Sequence, residues 1–349
     1  MKTSNAIKSL LLVLFAWSMA LAMSSCIYDD LSKCGLTVRF AHTYNMKEAD
    51  AFAEEADWVK LWVFDAQQKL VTVIEQSGGF GNGAVDMPVS QLPAGDYTFV
   101  AWAGSSASAN ARADASGVNQ KRANLEHADF DFPTLKVGDD IEMLTARLQR
   151  DAQGVNASKI HALLNGVVKA SITGVKQQVV LDMKKCTNTL RVVLMPTSSQ
   201  EKLKVDDFEF YIEGKNGWLA YDAEPYQKDE LVYRPYYQEL SEDKAEGPQG
   251  EAVVDQAIVA QLNTSRIMAN SNPRLVIRNR QSQREVLNIN LAWFLSLQAI
   301  GEHRAEWSDQ EYLDRQDEFA ITFFTNGSTW MQTHIIVNGW VLSLQDIEL

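Results

Sequence analysis

The sequence predicts a mainly β protein, built as two tandem β-sandwich domains with a short helical insertion in the second. Three observations predict it. Apolar and aromatic residues alternate with period two in many short runs, most clearly in Trp58-Val59-Lys60-Leu61-Trp62-Val63-Phe64. Turn residues punctuate these runs, as in Leu92-Pro93-Ala94-Gly95-Asp96, and nowhere do strands alternate with helices in the manner of a nucleotide-binding fold. The 349 residues exceed one ordinary core and suit two of about 150 residues.

The chain opens on a charge-free apolar run, Leu10 to Ala22, behind Lys2 and Lys8. The run falls short of the roughly 20 residues that a membrane-spanning helix needs, so it reads as a secretion signal. Ser24 and Ser25 lead directly into Cys26. The segment resembles a bacterial lipoprotein signal, in which cleavage precedes the cysteine and its thiol and new amino group are acylated. It departs from the usual pattern in carrying Met23 where leucine is customary. Residues 1–25 are therefore expected to be the signal peptide, Cys26 the lipidation site (palmitate-class chains), and residues 26–35 a lipidated tether. Several acyl chains hold a protein stably where one holds it marginally, since each buried methylene contributes about 0.8 kcal/mol. The plain alternative is an ordinary signal peptide with a cysteine near its end. Asp29 and Asp30 resemble the acidic signal that sends lipoproteins of the Bacteroidales to the outer face of the outer membrane; a solvated tether is the simpler reading.

Net charge is −13, and loss of Lys2 and Lys8 makes it −15. Such a surface repels phosphate backbones, so nucleic acid is excluded as a partner, and anionic lipid headgroups are disfavoured. Of the three cysteines, lipidation consumes Cys26 and leaves Cys34 and Cys186 as a candidate disulfide or as two buried thiols.

In the first domain, 36–185, Thr37–Phe40 reads as a short first strand. In the next run Val59, Leu61 and Val63 share one face, and Lys60, Trp62 and Phe64 the other. Ala66–Lys69 turns into a hairpin partner, Leu70–Ile74, and Ser77–Gly83 is a loop. Tyr97–Trp102 follows the Pro-Ala-Gly turn, and Gly104–Asn119, rich in Ala, Ser and Asn, reads as a surface loop. Further strands are expected at Ile141–Leu148, Val167–Ile172 and Gln178–Asp182. The second domain, 186–349, offers Leu190–Leu194, Phe208–Ile212, Leu275–Ile277, Val286–Ile289, Phe319–Phe324, Trp330–Val337 and Trp340–Gln345. Asp222–Gly250 carries three prolines and reads as a long excursion. Two stretches look helical: Leu291–Leu295, and Ser308–Arg315 with its Ser308/Glu311 capping pattern.

The chemistry-bearing residues form no catalytic pattern. His42, His127, His161, His303 and His334 are scattered, and there is no HExxH, GxSxG, P-loop or cysteine–histidine spacing for zinc. Acidic neighbours such as Asp139-Asp140 and Asp206-Asp207 are unsurprising among 45 acidic residues. No metal, small-molecule substrate or cofactor other than the covalent lipid is expected. Trp58, Trp62 and Trp102 offer either a sugar-stacking platform or core, and their place in strands favours core.

Several segments resemble the FimB-type fimbrial anchor proteins, fimbrillin-like relatives from the type V fimbriae of the Bacteroidales. They are Cys26–Phe40, Trp58–Asp65, Leu92–Gly104, Thr187–Leu194, Glu311–Phe324 and Asn338–Leu349. The resemblance implies two transthyretin-like β-sandwiches, no enzymatic activity, and an outer-membrane lipoprotein that tethers a fimbrial shaft subunit and limits the length of the fimbria. In such polymers a shaft subunit loses its first strand by proteolysis after an arginine, and a neighbour's C-terminal strand fills the groove. An anchor must keep its N-terminus, so Leu36–Phe40, with Arg39 inside it, is expected to stay in place. The C-terminal Trp340, Val341, Leu342, Leu344, Ile347 and Leu349 then form the candidate donor strand, unless this segment completes its own domain. The competing readings are a surface glycan-binding lipoprotein and an accessory or tip subunit of the same fimbria.

Overall fold

A computed structural model describes residues 35–343, apart from 79, 82, 90–91, 106–128, 175, 198–201, 247–251, 298, 300–305, 326–333 and 338–339. The fold is mainly β. In chain order the strands of the first half are β1 Leu36–Ala41, β2 Trp58–Phe64, β3 Leu70–Ser77, β4 Val85–Val89, β5 Gly95–Gly104, β6 Phe130–Asp131, β7 Ala146–Leu148, β8 Val155–Asn156, β9 Leu163–Ile172, β10 Gln177–Asp182 and β11 Lys184–Lys185. Those of the second half are β12 Thr187–Pro196, β13 Phe208–Gly214, β14 Trp218–Leu219, β15 Leu231–Tyr233, β16 Tyr237–Glu246, β17 Ala252–Ser265, β18 Arg274–Asn279, β19 Glu285–Asn290, β20 Glu318–Thr325, β21 His334–Val337 and β22 Trp340–Ser343. Among the described residues three short α-helices join them: α1 Phe52–Glu55, α2 Leu291–Ser296 and α3 Asp309–Arg315.

In the first half a three-stranded sheet, β10-β1-β4, packs on a five-stranded one, β11-β9-β5-β2-β3. Val59, Leu61 and Val63 of β2, with Phe99 and Ala101 of β5, meet Val38 and Phe40 of β1 and Leu181 of β10, all fully buried. The sheets approach closely at Gly166, where a Cβ would lie 2.0 Å from Leu181 Cδ2. The alternating face of β2 and β5 carries Trp58, Trp62, Phe64, Val100 and Trp102 into a second core. That core continues through Phe130, Leu144 and Leu148 into the other half. The centre of the five-stranded sheet, β2 and most of β5, is thus buried on both faces, which is why β2 reads as nearly all apolar.

The second half pairs a six-stranded sheet, β16-β17-β12-β20-β21-β22, with a five-stranded one, β19-β18-β13-β15-β8. Leu190, Val192, Ile258, Leu262, Ile321 and Phe323 of the first face Phe210, Ile212, Leu275 and Ile277 of the second. Hydrogen bonding crosses residue 185. Strand β8 runs parallel to β15, and β7 pairs with both β6 and β14.

Four expectations need correction. Ile141–Leu148 is not one strand: Ile141–Met143 is a 3-10 turn and only Ala146–Leu148 pairs. The buried Ile141 and Leu144 lie three residues apart, the spacing of that turn. Asp222–Gly250 is not simply an excursion, since it contains β15 and β16. Strand β16 is polar because it lies at a sheet edge, where one side of the ladder is open. Its partner β17, the longest strand, went unassigned although Ile258, Ala260 and Leu262 alternate into the core. Gly104 ends β5 rather than opening a loop, and 106–119 lie outside the described residues. The remaining assignments agree to within a few residues at their ends. Residues 330–333 and 344–345, parts of the last two expected strands, fall outside the described residues.

Candidate assembly interface

The chain's first described strand is held on both sides. β1 runs parallel to β10 from Leu36↔Gln177 to Ala41↔Asp182, and antiparallel to β4 from Leu36↔Val89 to Phe40↔Val85. Leu36, Val38 and Phe40 point into the core, and Phe40 stacks on Phe52 at 5.6 Å. Burial of each such side chain is worth about 1.5–3 kcal/mol. On the outer face Arg39 holds Asp86 through two hydrogen bonds of 2.8 Å. The arginine side chain is half-exposed while its backbone is locked in the ladder. These hydrogen bonds from Arg39 lower the pKa of the Asp86 carboxyl. Beyond β1, His42 Nδ1 lies 2.7 Å from the Met183 carbonyl, and the Thr43 amide donates to Asp182 at 2.8 Å.

The far end is attached differently. Among the described residues β22 pairs only with β21, in four registered pairs from His334↔Ser343 to Val337↔Trp340. β21 in turn meets β20 at only two, Ile321↔Val337 and Thr322↔Ile336. β20 is paired along all eight of its residues with β12 on its other side. Among the described residues the terminal hairpin is therefore an edge element on a narrow footing, with no strand paired to the outer side of β22.

Between the two ends lies a joint made of charged side chains. Arg266, just past the end of β17, donates Nε and Nη2 to Asp314 of α3 at 2.7 Å each, both side chains being 5% exposed. Its third nitrogen reaches the Ala223 carbonyl and Glu224. Lys185 bridges Glu55 of α1 and Asp317 ahead of β20. Burial opposes its charge, but the two carboxylates outweigh burial and raise its pKa. The Arg315 guanidinium lies 4.4 Å from the Tyr44 ring and 4.6 Å from the Trp307 ring, and donates to the Asn45 carbonyl. Arg150 grips Asp229 with two bonds, of 2.7 and 2.6 Å. Lys185, Arg315 and Arg150 thus each hold a partner on the far side of Cys186, whereas the Arg266 cluster lies wholly after it.

The residues singled out from sequence fare unevenly. Cys26, Asp29, Asp30, Cys34, Leu344, Ile347 and Leu349 lie outside the described residues. Cys186 is a buried free thiol whose pKa burial pushes up to about 12, so it is no nucleophile at neutral pH. Trp58, Trp62 and Trp102 are core, packed around Phe132, and form no surface platform. Asp140 pairs with Lys69, and Asp139 accepts from the Lys136 amide, so this acidic neighbour pair is structural. His161 pairs with Asp129. Among the described residues no group of histidine, cysteine and acidic side chains could hold a metal ion, and no helix is long and apolar enough to cross a membrane. The joint was missed because its members are distant in sequence; only Ser308, which caps α3 by accepting from the Glu311 amide, gave a local sign of that element.

The sequence matches the family described as fimbrillin-A associated anchor proteins Mfa1 and Mfa2 over residues 31–346. A candidate polysaccharide-binding protein from Bacteroides thetaiotaomicron has a similar structure, with a TM-score of 0.71 and 29% identity, over 90% of this chain and 99% of that one. A candidate adhesin from the same species superposes with a TM-score of 0.72 at 26% identity, over 89% of this chain and 98% of that one. The fimbrial anchor protein Mfa2 from Porphyromonas gingivalis shares the fold, with a TM-score of 0.60 at 15% identity over 88% and 98% of the two chains. No curated protein sequence matches the chain.

Proposed function

The chain belongs to the family of fimbrillin-A associated anchor proteins, and from that premise we propose that it is an outer-membrane lipoprotein that holds the base of a fimbria at the cell surface and limits its length. As a family member it is a fimbria-associated surface protein and not an enzyme. The observation that carries the proposal is β1, clamped between β10 and β4 with its apolar side chains buried. A lipid on Cys26 is useful only if the chain from Cys26 into the fold remains unbroken. A first strand paired on both sides keeps that connection and leaves no vacant groove for an incoming strand. In this reading Asp29 and Asp30 direct surface export, and the joint at Arg315 and Lys185 passes load from one sandwich to the other.

Contact with the shaft then falls to the other end. Trp340–Leu349 serves as the strand given to the first shaft subunit, by β-strand addition. The support is the narrow footing of the terminal hairpin, which can leave β20 without disturbing the β12–β20 ladder. Cys26→Ala tests the anchor itself. Cells making this variant are expected to release the protein and shed fimbriae into the medium. A variant that stays in the membrane fraction of normally fimbriated cells contradicts the proposal.

A further inference from the structure

A cleft of about 790 Å³ opens where Gln153 and Gly154, from the loop before β8, meet the β13–β14 turn, the approach to β15 and the 270–274 segment. Its size is that of a small-molecule site, roughly 300–1,000 Å³. Its floor is built and rigid. Asn216 donates to the carbonyls of Ser265 and Arg266 at 3.0 Å each and accepts from the Tyr233 hydroxyl at 2.8 Å. Gly214 lies against it, where a Cβ would come 2.8 Å from Asn216 Oδ1.

The walls are the opposite. The side-chain amides of Gln153, Gln227, Asn270 and Asn272 line the cleft, and none is committed to a hydrogen bond among the described residues. The Glu213 carboxylate is uncommitted in the same way. The two cations each have their donors engaged, Lys215 by a carboxylate and Arg274 by a neutral amide. Lys215 pairs with Glu230 at 3.0 Å, and Arg274 gives Nε and Nη2 to Asn288.

We infer that this cleft binds a neutral oligosaccharide. A free amide offers both a donor and an acceptor, and a carboxylate accepts twice, which suits hydroxyls that donate and accept in turn. An anionic ligand finds no net positive charge in this lining, where Glu213 and Glu230 match Lys215 and Arg274 in number, on a chain of net charge −13. An added peptide strand needs pockets for alternate side chains, and the apolar lining is only Leu231, Val232 and Pro273. The inference is independent of the anchoring role, and its failure leaves that role standing.

The test uses the full chain carrying Cys26→Ala, with saturation-transfer NMR and calorimetry against maltotetraose, cellotetraose, mannotetraose, β-1,4-galactotetraose and the acidic tetragalacturonate. At least one neutral tetrasaccharide is expected to bind below about 10 mM, the weak end of specific recognition. Gln227→Ala with Asn270→Ala is expected to weaken it by about tenfold or more, the loss of roughly one good hydrogen bond or more. Both residues are exposed, so an unchanged Tm shows the fold intact. No binding by any neutral member, binding of tetragalacturonate alone, or affinity untouched by the double substitution overturns the inference.

Discussion

Arg39 and Asp86 face each other across β1 and β4 in a two-bond fork, Nε to Oδ1 and Nη2 to Oδ2, each 2.8 Å long. The pair stands at the middle of the strand on which the proposed anchoring rests, and what holds that strand is less the ion pair than where the backbone runs. Both partners are half-exposed, and pairs of that kind contribute little. The backbone of Arg39, by contrast, is aligned with Val180 on one side and Asp86 on the other.

An arginine-specific protease is therefore expected to leave the Arg39–Phe40 bond intact for as long as the protein is folded. Cleavage needs the strand out of its sheet, so it tracks the opening of the fold rather than the exposure of the side chain. N-terminal sequencing of fragments across a urea series checks this. Cleavage after Arg39 should appear only with global unfolding, and Asp86→Asn should not advance it. A fragment beginning at Phe40 under native conditions contradicts it.

Asp314→Ala should be the more damaging change. It leaves the buried Arg266 without its two-bond partner and with only the exposed Glu224 as counter-charge, and breaking such a pair costs about 3–5 kcal/mol. In a chain of this size the loss corresponds to a fall in Tm of about 10 °C. Replacing both partners, Arg266→Met with Asp314→Leu, should recover most of the loss, because it removes the stranded charge. Calorimetry of the three proteins decides. Equal losses for the single and the double variant would mean that the pair's other contacts, to Ala223 and Glu224, carry the stability.

Deleting Trp340–Leu349 is expected to spare folding and secretion while abolishing fimbria attachment. Among the described residues β22 pairs with β21 alone, and β20 keeps its whole ladder with β12. Circular dichroism of the purified protein and counts of cell-bound fimbriae separate the two effects. Misfolded or absent protein would show instead that the segment completes its own domain.

Much of this architecture is legible along the chain. The alternation in β2 already divides Val59, Leu61 and Val63 from Trp62 and Phe64, and the structure sends the two sets into different cores. The capping pattern at Ser308 placed α3. Long-range partnership leaves no such trace. Lys185 shows nothing locally of Glu55, 130 residues earlier, or of the tie it makes to Asp317. The cleft at the seam escapes for the same reason, since its amides come from separated stretches, each ordinary in itself. Edge position misled as well: β16 looks like a polar loop, and among the described residues it pairs on one side only, with β17.

Immunogold labelling of this chain on fimbriated cells tests the central claim most directly. Gold at the cell-proximal end of each fimbria, where shaft meets outer membrane, is the predicted result. Gold at the distal tips, or along the shafts, would contradict an anchor and make the chain a tip or accessory subunit.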